Sequence, residues 1–374
     1  MRILIVCDFL LKYGSQQAVA LARAGHDVRL LCRTHALEFG GSTAERDELF
    51  DRLRRERVSI VVVPGRVRSM SALPAMLRIR RELRRWQPDV VHVHENHDPR
   101  LLALTAGYRT ILTVHDPLGH PGAPALTRGE SWTFRRWFRR ADRFVVHGVA
   151  LVEELAPLVG RERIVVIPHG TTPRSEPLAP PAARAVLLFG RLEPYKGIEV
   201  LVSAMRLVWE ARPDVALVVA GEGQAAPLVP ADPRISLIAR YIPEEEVATL
   251  LAGASIVALP YTQASQSGVG LQAVAAGIPV VVSDLGALPE LALDQSYVAS
   301  AGDAAALAEA IRRHADDGIE VRQAVLERAR ARFSWTAAAD ATAQLYADVA
   351  GERGRRRFAW RRGTPWREAE RRDS

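Results

Sequence analysis

At 374 residues the chain exceeds what one hydrophobic core supports, since cores stop growing near ~250–300 residues, so two domains of roughly 150–180 residues are expected. Its composition, 48% hydrophobic and 25% charged, is that of a globular protein. No apolar run reaches the ~18 residues that span a bilayer, and Cys7 and Cys32 give neither a disulfide framework nor metal-ligand spacing. The net charge of +7 does not indicate nucleic acid: residues 351–374 hold nine arginines against four acids, so the tail carries +5 and the rest about +2.

The chain opens on an apolar run from Ile3 to Cys7, too short for a secretory leader. With only two cysteines, a reduced, cytoplasmic setting is expected. Further apolar runs follow at 27–32, 59–63, 90–94, 110–115, 143–147 and 163–167. Helix-period stretches separate them; in SQQAVALARAG, Val19, Leu21 and Ala22 share one face before Gly25. Continuous β-branched runs alternating with helices predict a parallel sheet covered on both faces.

The segment 171–184, TTPRSEPLAPPAAR, has four prolines and no periodicity and is expected to be a linker. Beyond it the alternation restarts at 185–189, 216–220, 235–239, 255–260 and 279–283, and a last helix is expected over 335–350. That helix either finishes the second domain or crosses back onto the first. The fold class is therefore α/β, two Rossmann-like, doubly wound parallel-sheet domains, 1–170 and 185–334, with an interdomain cleft expected as the site. The tail 351–374 is expected to be disordered. In open parallel sheets, ligands bind beyond the carboxyl ends of the strands.

At the first strand end, Gly14 and Ser15 are expected just before a helix, where the backbone comes close to a ligand or simply turns. GxGxxG spacing is absent, and the second strand ends in Cys32–Arg33 without a ribose-binding acid, which argues against a nicotinamide enzyme. VVHVHEN (90–96) places His92 and His94 on one side, suited to packing or capping, with Glu95 and Asn96 after them. TVHDPLGHPG puts His115 and Asp116 before a Pro/Gly loop, a pairing suited to acid–base work or sugar hydroxyls. No HExxH or Cys/His cluster supports zinc.

GRLEPYKG (190–197) sets Arg191 and Lys196 around a turn, with Lys196–Gly197 expected to begin a helix. A planar guanidinium, an ammonium and a helix end suit a diphosphate, although an Arg191–Glu193 pair on a solvated turn fits the same residues. No Ser or Thr follows Lys196, so this is no Walker A loop. Further on, Gln266, Ser267 and Gly268 precede a helix expected from about Val269, where unsatisfied amides suit phosphate oxygens or a sugar hydroxyl.

Together, GRLEPYKG, AGEG (220–223), SQSGVGLQAVAAGIPVVVSD and GALPE (286–290) resemble the family-4 glycosyltransferases of the GT-B fold. AGHDVRLL, PDVVHVH, TVHD and VIPHG in the first half agree, so the resemblance spans about residues 1–350. It implies a retaining transferase that moves a sugar from a nucleotide-diphosphate donor to a hydroxyl acceptor without a bound metal or other cofactor. It also implies that Arg191 and Lys196 hold the diphosphate, that His115 contacts the donor sugar, and that Gly14 lies near the phosphates or acceptor. Asp116, Gly190, Glu193, Gln266, Ser267, Gly268, Val269 and Gln272 complete the donor site, with Glu193 orienting the two cations.

One departure stands out. The family often carries two glutamates eight positions apart, and the corresponding residues here are Ala264 and Gln272. Gln272 can still bond ribose hydroxyls, whereas Ala264 cannot replace a carboxylate facing the sugar. A branch with an ASQSG loop resembles the chain more closely. An epimerase or phosphorylase on the same architecture, or a non-catalytic nucleotide-sugar-binding homologue, stays open. Partners expected are the nucleotide-sugar donor and a saccharide, lipid-linked or small-molecule acceptor. SWTFRRWFRRADR (131–143) and the tail, with Phe358, Trp360 and Trp366 among arginines, suit either a packed helix and solvated end or peripheral contact with anionic lipid at the inner membrane face.

Overall fold

The computed structural model describes residues 1–7, 10–33, 43–65, 72–94, 98–116 and 128–351. Glu95, Asn96, the loop after Asp116 and the tail beyond Gly351 lie outside them. Two compact units divide the chain: the first holds residues 1–146, 152–167 and those from Ala338 on, and the second holds 147–151 and 168–337.

The first unit is built on seven strands: β1 (Arg2–Val6), β2 (Asp27–Arg33), β3 (Ser59–Val63), β4 (Val90–His94), β5 (Thr110–Thr113), β6 (Arg143–Val146) and β7 (Ile164–Val166). They lie parallel in the order β3-β2-β1-β4-β5-β6-β7. The order reverses direction at β1, the switch point where such sheets place ligands. β4 and β5 are buried along their whole length, as strands covered by helices on both faces must be. Edge strand β3 alternates in burial instead.

The second unit has six parallel strands: β8 (Ala185–Phe189), β9 (Ala216–Ala220), β10 (Ile235–Ile238), β11 (Ile256–Leu259), β12 (Val280–Ser283) and β13 (Val298–Ala299), in the order β10-β9-β8-β11-β12-β13. Its core joins Leu187, Phe189, Leu201, Met205, Ile256, Val281 and Ile311. Both units are thus doubly wound α/β domains. The two-residue β13 has no counterpart in the sequence reading, because it is too short to register as a run.

Three local features differ from the sequence reading. Gly14 and Ser15 lie inside the helix Leu11–Arg23, not before it. Lys196 ends a 3-10 turn, Pro194–Lys196; Gly197 separates that turn from the helix Ile198–Ala211. Gly197 sits at φ 69°, and a Cβ there would lie 1.8 Å from the Pro260 carbonyl oxygen, so only glycine fits. The third feature is Gly351, which closes the last helix, Trp335–Gly351, instead of opening the tail.

The stretch 171–184 holds no strand or helix, yet it is fastened to the second unit. Arg174 N donates to Ala275 O and Leu178 N to Ala276 O. The fully buried Arg322 donates to the carbonyls of Leu178, Ala179 and Ala254. From Ala338 on, the last helix packs into the first unit, burying Tyr346 and Val349.

Candidate active site

The second unit gathers Gly190, Lys196, Tyr261, Ser267 and Val269 at the carboxyl ends of β8 and β11. The chain leaves β8 at Gly190, whose φ is 100°. A Cβ at Gly190 would lie 3.1 Å from Val269 Cγ2 and 3.8 Å from Lys196 Nζ, so the glycine keeps the floor of the site low. Lys196 is buried, and its Nζ donates to the Tyr261 hydroxyl at 2.6 Å. Burial, helped by the neighbouring Arg191, depresses the ammonium to about 8. Tyr261 is buried too, which holds its phenol well above the usual range.

Tyr261 Oη lies 3.1 Å from Ser267 Oγ, and Ser267 caps the helix Gly268–Ala275 by accepting the Gly270 N–H at 3.1 Å. That helix starts one residue earlier than the sequence suggests, because Ser267 is the cap and Gly268 the first helical residue. Its open end presents partial positive charge where Gly268 is exposed. An ammonium and a helix N-terminus thus converge, the arrangement that binds anions.

Arg191 is exposed, and its charge reaches both Lys196 and Tyr195. Glu193 is half-buried, and its carboxylate bonds neither Arg191 nor Lys196; its N–H and C=O carry the turn instead. Gln266 is half-buried, while Gln272 is exposed one turn along the helix. Ala264 and Ser265 are held by the following GALPE segment. Ala287 N donates to Ser265 O at 2.9 Å, and a Cβ at Gly286 would lie 2.2 Å from Ala264 O. Glu290 anchors that segment, accepting from Val149 N at 2.6 Å and pairing with Arg332.

In the first unit His92, His94 and His115 form one cluster at the ends of β4 and β5. His92 and His94 are buried and stack at 4.8 Å between ring centroids. His92 Nδ1 lies 2.6 Å from the Tyr346 hydroxyl, and Nε2 lies 2.6 Å from Thr113 Oγ1. Both ring nitrogens of His92 are thus engaged by hydroxyls, and burial keeps the Tyr346 phenol protonated. His94 Nε2 meets Gln17 Oε1 at 2.7 Å and Nδ1 meets His115 Nε2 at 3.4 Å. With the Gln17 carbonyl as acceptor, His94 carries a proton on Nε2, and its Nδ1 is the nitrogen that meets His115.

Tyr13 meets His94 and His115 edge-on, at 5.3 and 5.2 Å. Gly14 serves packing here, since a Cβ would lie 2.7 Å from Cys7 Sγ. Asp116 is half-buried, and its charge adds to burial in raising the Glu154 carboxyl.

Two other places lack the groups for chemistry. Ser296 Oγ lies 2.9 Å from His314 Nε2, and His314 Nδ1 lies 3.1 Å from Asp317, in outline a nucleophile–base–acid relay. The serine proton goes to Asp294 Oδ1 at 2.5 Å, however, so the trio locks the turn Gln295–Tyr297. A cavity of about 580 Å³ beside edge strand β10 is lined by Val229, Pro230, Pro233, Ile235 and Leu237, and its one acid, Asp232, is paired with Arg234. Among the described residues no cluster of three His, Cys, Asp or Glu side chains could hold a metal ion. Among them, too, no helix is long and apolar enough to cross a membrane.

Two family models match in tandem: Glycosyltransferase Family 4 over residues 15–174, and Glycosyl transferases group 1 over residues 183–317. The chain is a GT-B glycosyltransferase. The enzyme is 29% identical over 396 residues to glycogen synthase of Mycobacterium tuberculosis, covering 94% of this chain and 93% of that one. It is 29% identical to the phosphatidyl-myo-inositol mannosyltransferase of Mycobacterium leprae, over 76% of this chain and 80% of that one. Among solved structures, the transferase matches sucrose-phosphate synthase of Thermosynechococcus elongatus with TM-score 0.65 at 19% identity, over 94% of this chain and 99% of that one. Anabaena HepE, solved with UDP and glucose, matches with TM-score 0.64 at 16% identity, over 93% of this chain and 100% of that one. These structural likenesses establish the fold.

Sequence reasoning passed over Tyr261, Gln17, Tyr13 and Tyr346, because no motif marks a lone aromatic or amide. The signal for Tyr261 was its place directly after the apolar run of β11 and Pro260, at a strand end.

Proposed function

We propose that this glycosyltransferase takes a sugar from a nucleoside-diphosphate donor and passes it to a hydroxyl acceptor with retention of anomeric configuration, without a resident metal. The observation that carries this reading is the buried Lys196 ammonium beside the Ser267-capped helix start. A departing diphosphate develops negative charge, and fixed cations and helix amides stabilise it without reorganising. One neighbour, Anabaena HepE, was solved with UDP and with UDP-glucose, which suits a uridine or related donor. The second unit supplies the diphosphate site. The first unit carries its own cluster of hydrogen-bonding groups, His92, His94 and His115 with Asp116 following, to which we assign contact with sugar hydroxyls.

No described side chain is placed as a covalent nucleophile, so front-face displacement is the mechanism, the departing phosphate taking the acceptor proton. The test is incubation with labelled nucleotide sugars, with and without candidate acceptors, and NMR of the anomeric centre formed. A product of inverted configuration, or an isomerised donor without acceptor, would overturn the reading. The enzyme works in the cytoplasm and meets anionic lipid through the helix Arg128–Arg140, on which Trp132 is exposed under the Arg136 guanidinium at 5.0 Å. Trp137 and Phe138 of that helix are buried and hold it to the first unit.

A further inference from the structure

A charged lysine can only donate, so the proton on Lys196 fixes the direction of every hydrogen bond behind it. Its Nζ donates to Tyr261 at 2.6 Å, which leaves the tyrosine proton for Ser267 Oγ at 3.1 Å. Ser267 Oγ also accepts the Gly270 N–H. Both of its lone pairs are then used, and the serine's own proton turns outward at the helix start. If Lys196 loses its proton, the amine accepts from Tyr261, and Ser267 is released to donate inward.

We propose that Tyr261 is a positioning residue that couples the charge on Lys196 to the direction of the Ser267 hydroxyl, so that a nucleoside diphosphate meets an ammonium and an outward O–H together and its binding draws a proton from solvent onto Lys196 Nζ. The inference rests on the diphosphate reading above and adds to it a proton balance and a third residue. The groups facing Lys196 are Arg191, Glu193 and Tyr195 from its own turn, Tyr261 from the segment after β11, and Ser267 from the helix that follows. Arg191 is the charge among them that acts on the ammonium, adding to burial, and together they place it at about 8. An incoming diphosphate opposes both effects and pulls the proton on.

Calorimetric titration with UDP, ADP and GDP, in buffers of different ionisation enthalpy, reads the proton directly. At pH 8.5 uptake of about three-quarters of a proton is expected, falling to about a quarter at pH 7.5, a range in which the nucleotide's own terminal phosphate stays ionised. Tyr261→Phe keeps the ring and is expected to bind roughly tenfold more weakly, with its uptake midpoint moved to lower pH because the ammonium has lost an acceptor. Lys196→Arg is expected to bind without uptake at either pH. Binding by the wild type without uptake at pH 8.5, or uptake surviving in Lys196→Arg, overturns the proposal. So does weaker binding in Tyr261→Phe with an unmoved midpoint, which would make Tyr261 merely structural. Failure of all three nucleotides to bind would remove the diphosphate reading together with this one.

Discussion

The two units carry sites of opposite electrostatic character. In the second, Lys196 is buried with a hydroxyl for company and no carboxylate bonded to it, so folding bears the cost of a desolvated charge. In the first, the buried imidazoles of His92 and His94 are bonded to the uncharged side chains of Thr113, Tyr346 and Gln17, and folding gains. The lesson is a division of labour. One site holds a desolvated cation, as the proposed diphosphate role requires, while the other is settled by hydrogen bonds around buried imidazoles.

The largest test of that contrast removes the charge. Lys196→Ala is expected to lower kcat/KM for transfer by roughly 10²–10³-fold with the fold intact, and Arg191→Ala by less, since Arg191 is exposed. Near-normal rates in both variants would dissolve the diphosphate assignment. The next test asks whether that desolvation is costly. Lys196→Met should raise stability by about 3 kcal/mol near pH 7, an upper figure set by the depression of the ammonium from 10.5 to about 8. The sign follows from a folded value below the unfolded one. The penalty is whole below pH 8 and fades as pH rises toward 10.5, so melting curves of variant and wild type should converge across that window.

The settled cluster should respond in the opposite sense. His92→Phe strands the Tyr346 and Thr113 hydroxyls in a dry interior and is expected to cost about 2–4 kcal/mol by chemical denaturation. A stability unchanged by that replacement would make the two sites alike. Arg322→Ala, which frees the Leu178 and Ala179 carbonyls of the 171–184 segment and the Ala254 carbonyl beside it, is expected to cost about 2–3 kcal/mol and to expose that segment to protease. Smallest is Trp132→Ala: stability should stay within about 0.5 kcal/mol, while flotation with anionic liposomes falls. Equal flotation would detach the helix from any role at a membrane.

The strands were legible because buried parallel strands leave uninterrupted apolar runs, and 59–63, 90–94, 185–189 and 216–220 match their elements residue for residue. Helix starts were legible only where a side chain caps them. Ser267 announces its helix within a residue, whereas the helix Leu11–Arg23 begins after Leu10, which caps nothing, so Gly14 read as a turn. The turn at Lys196 read as a helix start because nothing in the sequence shows that Gly197 must be left-handed. The site was half legible for the same reason. Cations at a glycine turn stand together in the sequence, but Tyr261 lies 65 positions from Lys196, and Tyr346 lies 254 from His92. Contacts at that separation follow from topology, not from any local period.

The makeup of the Lys196 site also bears on selectivity. An ammonium and a helix end recognise negative charge wherever it comes from, so they distinguish poorly between one nucleotide and the next, or between a nucleotide and inorganic phosphate. On the proposed reading, discrimination among donors falls to groups that read hydroxyls and ring edges, for which the exposed Gln272 amide and the half-buried Gln266 are the candidates. Assays run in phosphate or sulfate buffer should accordingly understate donor affinity for every sugar by a similar factor, leaving the ranking of donors untouched.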